Sequence, residues 1–201
     1  NNCHRSGNVN QAAELAKLTG MHGAFGAAMP YEGGQYGQAI LSKYPLEQPK
    51  VHRLPGEGES RIAFEATVSI DGKPLRMVTV HLSYEEEQQR LKQVQSLLKA
   101  LATSSTPSVL AGDFNDVPKS PALKLMDEAW LAIPKTGSGL TSPAGKPEAE
   151  IDHIYLRGLV AIGKAEVLAE SVASDHRPML AVISQITEAK MPQPAPTGKP
   201  E

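Results

Sequence analysis

Cysteine is almost absent: Cys3 is the single thiol among 201 residues, so no internal disulfide can hold this chain together. Aromatic residues make up 4% with one tryptophan, so the core must be built from Leu, Val, Ile and Ala. No apolar run approaches the length of a membrane span. An excess of charge is missing too, with 20 Lys and Arg against 22 Asp and Glu. Proteins that grip duplex nucleic acid by neutralising phosphates usually carry clustered basic residues, so this balance counts against a duplex-DNA nuclease. The chain opens on Asn1-Asn2 rather than methionine and shows no secretory signal pattern. It is therefore read as a fragment or a processed product, and its compartment is left unassigned. What is there suffices for one large α/β domain, since 40% of the residues are apolar.

Periodicity divides the chain into alternating strands and helices. Residues 8–18 carry Val9, Ala12, Ala13 and Ala16 at helical spacing and stop at Gly20. The Gly-rich run 33–37 reads as a loop before a short buried strand, Ala39-Ile40-Leu41, and residues 51–60 read as a surface loop. Alternation over 61–70, the Asp71-Gly72 turn and an apolar segment over 75–82 predict a β-hairpin. The strongest helix covers 85–102, with Leu91, Val94, Leu98 and Leu101 as its apolar stripe and Glu86–Arg90 as a supporting pair. A short apolar strand over 108–112 runs into Asp113, and a helix with proline in its first turn covers 121–130. After a Gly/Ser/Pro-rich loop over 136–149, three more strands cover 151–156, 165–169 and 179–183. Such interleaving predicts an α/β (α+β) domain over 1–186. Pro192, Pro194, Pro196 and Pro200 mark 187–201 as a disordered, proline-rich tail.

Four segments put a chemically capable side chain at the end of an apolar strand. They are Thr79-Val80-His81-Leu82, Gly112-Asp113-Phe114-Asn115, Ile151-Asp152-His153-Ile154 and Ser174-Asp175-His176-Arg177-Pro178. Strand ends in a layered fold converge on one rim, where side chains are held rigidly yet reach solvent. Taken singly, each has a plain structural reading: His81 as a satisfied histidine, Asp113 and Asn115 as turn caps, residues 174–176 as a turn. Asp152 lies between apolar neighbours and so requires a partner. His4, His22, His52 and His153 lack such a setting and are read as surface or packing residues.

In that order, the four segments resemble those of the endonuclease/exonuclease/phosphatase superfamily, whose members carry T-H-L-like, G-D-F-N, I-D-x-I and S-D-H-x-P elements. The likeness extends to residues 5–11, to 34–45, and to Arg90 with Gln93, and it spans about 3–184. The resemblance implies a four-layer sandwich of two mixed β-sheets flanked by helices. It also implies a metal-dependent phosphoesterase that uses Mg²⁺ or Mn²⁺ and hydrolyses a phosphate ester with an activated water. Asp113 would orient or deprotonate that water. Asn115, His81 and His176 would bind the phosphate, Asp152 would orient His176, and Asp175 would serve the metal.

The departure lies at the start. Members of the superfamily begin with a strand ending in Asn and a second strand whose Glu is the main metal ligand. Residues 1–11 contain no acid that replaces it. The chain is thus expected to lack the first strands and to be weakly active or inactive as it stands, its parent being the active enzyme. A catalytically inactive binding or scaffold domain of the same fold is the alternative. A dinuclear metallophosphatase would also use Gly112-Asp113 with Asp116, but the D-x-H and G-N-H elements it needs are absent. The substrate class stays open among small molecules, lipids and nucleic acids, with the charge balance favouring a small or lipid-derived ester. A monomer is expected.

Overall fold

The computed structural model describes residues 1–185; the proline-rich tail expected over 187–201 lies outside them. A 3-10 turn at His4–Ser6 precedes α1 (Gln11–Thr19), β1 (His22–Tyr31), β2 (Gly34–Ser42) and β3 (Glu47–Arg53). Next come β4 (Ile62–Ile70), β5 (Lys73–His81), α2 (Glu87–Leu101), β6 (Ser108–Asp113) and α3 (Pro121–Ala129). The chain continues through β7 (Leu131–Ala132), β8 (Asp152–Arg157), β9 (Leu159–Ala161), β10 (Glu166–Val167), β11 (Met179–Leu180) and β12 (Ile183–Gln185).

One mixed sheet of six strands, ordered β3-β4-β5-β6-β8-β7, forms the centre. Within it β5 and β6 run parallel, joined by the α2 crossover, and the other pairs are antiparallel. Side chains alternate between its two faces. Ala63, Val78, Val80, Leu110 and Tyr155 meet α2 and α3 on one side. Ile62, Phe64, Ala66, Val68, Leu75 and Leu156 meet a second β layer on the other. That layer consists of three antiparallel ribbons, β1–β2, β10–β11 and β9–β12, and α1 packs outside β1. The order of layers is therefore helix, sheet, ribbons, helix. Among the described residues no helix is long and apolar enough to cross a membrane.

Two of the longer strands escaped the sequence pattern, each for a physical reason. β1 is rich in Gly and Ala because it is squeezed between α1 and β4: a Cβ on Gly23 would sit 2.9 Å from that of Ala16, and one on Gly26 would strike the Phe64 ring. Small residues leave no hydrophobic period to read. β3 is an edge strand whose residues are almost all exposed, with Pro49 and Lys50 on its rim, so it lacks inward alternation. The run 33–37, expected as a loop, contributes only its first residue to a turn, and Gly34–Gly37 belong to β2.

The stripe of α2 is rotated from the expected one. Gln93, Val94, Leu97 and Leu101 are buried, and Gln93 accepts from the Ser83 amide at 2.9 Å while donating to the Pro55 carbonyl at 3.1 Å. Arg90, expected to pair with Glu86, makes its ion pair with Asp116 at 3.2 Å. At the far end of the helix Arg76 and Arg157 both donate to the Leu101 carbonyl, at 3.2 and 2.8 Å. These cations satisfy a carbonyl left open at the helix terminus and suit its dipole.

Gly112 carries the closest approach in the sheet. Its φ is 155°, and a Cβ there would run into the Val80 carbonyl of β5. Gly112→Ala should therefore push β5 and β6 apart and lower stability by about 1–3 kcal/mol, read from the urea midpoint. An unchanged midpoint would contradict the close-approach account.

Candidate active site

Sheet register builds the site. In the β5–β6 ladder His81 lies opposite Asp113, and in the β6–β8 ladder Asp113 lies opposite Asp152. These residues form one row across three strands at one end of the sheet, and all three share the face turned to the ribbons. His81 Nε2 is 3.4 Å from Asp113 Oδ2. From the ribbon layer Tyr36 on β2 reaches down, its hydroxyl 3.0 Å from His81 Nδ1.

His176 arrives on the loop that follows β10. Glu170 caps the Val172 amide at 2.6 Å, Ser174 Oγ accepts from the His176 amide at 3.2 Å, and the Asp175 carbonyl accepts from the Ala144 amide at 2.7 Å. Arg177 adds two staples, donating from its amide to the Thr141 carbonyl and from Nε to the Ala144 carbonyl, each at 2.8 Å. So held, His176 places Nδ1 2.8 Å from Asp152 Oδ2. That bond supplies the partner that a carboxylate in this setting needs.

Asn115 follows from the turn after β6. Its φ is 48°, a conformation that asparagine tolerates better than most residues. Its amide donates to Asp113 Oδ1 at 2.7 Å and its side-chain Nδ2 to the Leu82 carbonyl at 2.9 Å. Asn115 thus braces Asp113 through the backbone and ties the turn to the end of β5. Asp175 is exposed, and with Tyr36, His81, Asp113 and His176 it lines an open basin of about 980 Å³.

The electrostatics separate the two imidazoles. Burial, with the Arg61 and His176 charges adding to it, pushes His81 down to about 4, so at neutral pH its ring is uncharged. The contact with Asp113 is then no ion pair: Nε2–H faces the carboxylate and Nδ1 accepts from Tyr36. For His176 burial opposes the charge, yet the Asp152 carboxylate and its hydrogen bond, with Asp113 and Asp175 beyond, outweigh it and raise the ring above the ordinary value. Burial likewise lifts the Asp113 carboxyl to about 6, against the lowering pull of the Asn115 amide.

Ligand atoms of Asp113, Asp152 and His176 lie within 4.8 Å of one another. The Asp152–His176 hydrogen bond already engages two of these side chains, and Asp113 Oδ1 accepts from the Asn115 amide. Two carboxylates and an imidazole this close together could hold a metal ion. Two arginines near the basin are occupied by neighbours. Arg177 is engaged with the 141–144 backbone, and Arg61 is buried against Glu59 at 2.9 Å, acting on the site through its charge. Tyr36 was missed because the glycines around it hid the inward alternation Tyr36, Gln38, Ile40.

Acid and imidazole groups stand in a row at the rim of this layered α/β/β/α domain, and comparison with known proteins specifies the family. The profile of the Endonuclease/Exonuclease/phosphatase family matches residues 4–176, and the chain belongs to that family. The chain is 26% identical over 171 residues to the uncharacterized protein YbhP of Escherichia coli K12, covering 80% of this chain and 67% of that protein. Its fold matches an endonuclease/exonuclease/phosphatase from Bacteroides vulgatus at TM-score 0.74 and 20% identity, over 88% of this chain and 81% of that one. It also matches a mannosyl-6-phosphatase of Bacteroides thetaiotaomicron at TM-score 0.70 and 15% identity, over 87% and 81% respectively.

The charge assignment has a direct readout. At about pH 6 the ¹⁵N shifts of His176 should be those of a charged ring and those of His81 of a neutral one. Two rings titrating together would overturn it.

Proposed function

We propose that the chain carries the catalytic centre of a metal-dependent phosphoesterase. The observation that supports this most is the two-sided environment of the basin: a carboxyl lifted to about 6 beside an imidazole raised by its own carboxylate partner. A phosphate ester is anionic and repels hydroxide, so its hydrolysis needs a base for water and positive charge around the phosphoryl oxygens. Asp113 is the base. A carboxyl near 6 is ionised at neutral pH yet basic enough to accept a proton as the water oxygen attacks phosphorus. As the bond to the leaving oxygen breaks, the negative charge gathered on the phosphoryl oxygens is met by His176. Its Nδ1–H is committed to Asp152, which leaves Nε2–H for the phosphate.

His81 serves as a neutral hydrogen-bond group, oriented by Tyr36, and Asn115 has a second amide hydrogen free for a phosphoryl oxygen. Asp175 would help to hold a divalent cation of the Mg²⁺ or Mn²⁺ kind, which when bound would add positive charge around the phosphoryl oxygens. The near-neutral charge balance favours a small or lipid-derived ester over duplex DNA.

Screening phosphomonoesters, phosphodiesters, phospholipids and nucleic acids with Mg²⁺ and Mn²⁺ tests this reading. Asp113→Asn should cut kcat by about 10³-fold with the fold intact, and a chelator should abolish turnover reversibly. Full-length protein that folds and hydrolyses none of these classes, or an Asp113→Asn variant of it that is indifferent, would sink the proposal. The pH profile has a definite sign. Protonated Asp113 cannot accept the proton, so kcat should rise with pH and level off above about 6.

A further inference from the structure

His153 is adjacent to Asp152 but turns to the opposite face of the sheet, where it is 7% exposed and bonded on both nitrogens. Lys135 Nζ stands 3.1 Å from its Nδ1, and its Nε2 is 3.0 Å from the Asp116 carbonyl. The lysine is itself buried, its side chain 4% exposed, with Glu150 Oε1 at 2.6 Å. An ammonium paired to a carboxylate at that distance only donates. Nδ1 of His153 must therefore be the accepting nitrogen, and the ring proton sits on Nε2, aimed at a carbonyl that only accepts. One tautomer satisfies both ends.

That carbonyl belongs to the turn which carries Asp113 and Asn115. Further contacts hold the same turn. Arg90 pairs with the Asp116 carboxylate, the Phe114 amide donates to the Ile151 carbonyl at 2.9 Å, and the Phe114 ring meets His153 edge-on at 5.6 Å. The His153 bond links the turn to the buried Lys135–Glu150 pair, and it does so at the residue after Asn115, whose φ is 48°.

We propose that Lys135 and His153 are positioning residues: the ammonium locks the imidazole as the Nε2–H tautomer, and the ring holds the Asp116 carbonyl, keeping Asp113 and Asn115 in place for catalysis. The catalytic part of this rests on the phosphoesterase reading above; the tautomer and the turn do not.

Wild-type protein, H153F, H153Q and K135M decide it. The ¹⁵N spectrum of wild-type protein should show His153 protonated at Nε2 alone. H153F keeps the volume and the contact with Phe114 but has no donor. It should move the Asn115 and Asp116 amide signals and lower kcat by about 10- to 100-fold with KM within about twofold. H153Q, whose amide nitrogen can stand near Nε2, should restore most of both. K135M should give a mixture of His153 tautomers, and it serves as the deciding variant if H153F does not fold.

An Nδ1–H ring in wild-type protein, or a K135M ring still wholly Nε2–H, overturns the proposal. So does an H153F variant with unmoved Asn115 signals, or equal losses in H153F and H153Q. If full-length protein turns over no phosphoester, the functional reading fails, and the ring and turn signals still judge the positioning device.

Discussion

The ladder from β5 through β6 to β8 is the constraint on which the rest of the site depends. It sets His81, Asp113 and Asp152 side by side. Side chains alternate along a strand, so a slip of one residue in either pairing would send a member of the row into the helix layer. Burial on both faces forbids the slip. Val78, Val80, Leu110 and Tyr155 are needed under α2 and α3, while Leu75 and Leu156 are needed under the ribbons. Gly112 adds a steric condition, since only a residue without a side chain lets β5 come so near. Core packing thus sets the register, and the register assembles the chemistry.

Within a single basin two imidazoles are driven apart in charge by their neighbours. Arg61, buried against Glu59, lends positive potential to His81, which burial already keeps neutral. His176 meets Asp152 directly and is raised. Environments that separate the protonation states of like groups let one basin hold a neutral and a cationic imidazole at the same pH. The family to which the chain belongs includes phosphatases and nucleases, so the scaffold leaves the substrate open and the walls of the basin must select it.

Legibility followed burial. The β4–β5 hairpin, α2 and β6 were readable because each has a clear inside and outside. β3 was not, being an edge with nearly every side chain in water, and β1 was not, because close packing against α1 and Phe64 replaced large residues by Gly and Ala. Tyr36 was hidden by the glycines around it. His153 was read as a surface or packing residue because it lacks a strand-end setting. Its burial agrees with that, but its two nitrogens bridge Lys135 and the turn after β6.

The sequence by itself determined the class of fold and the family, since these are written in local periodicity and short ordered motifs. Tertiary structure alone decided who faces whom. Tyr36 meets His81 across 45 residues, and His176 meets Asp152 across 24. It also decided which imidazole carries charge, because burial and the nearness of Arg61 or Asp152 arise only once separate strands have come together. A proton's preference depends on what stands within a few ångströms, and the linear order of residues does not contain that distance.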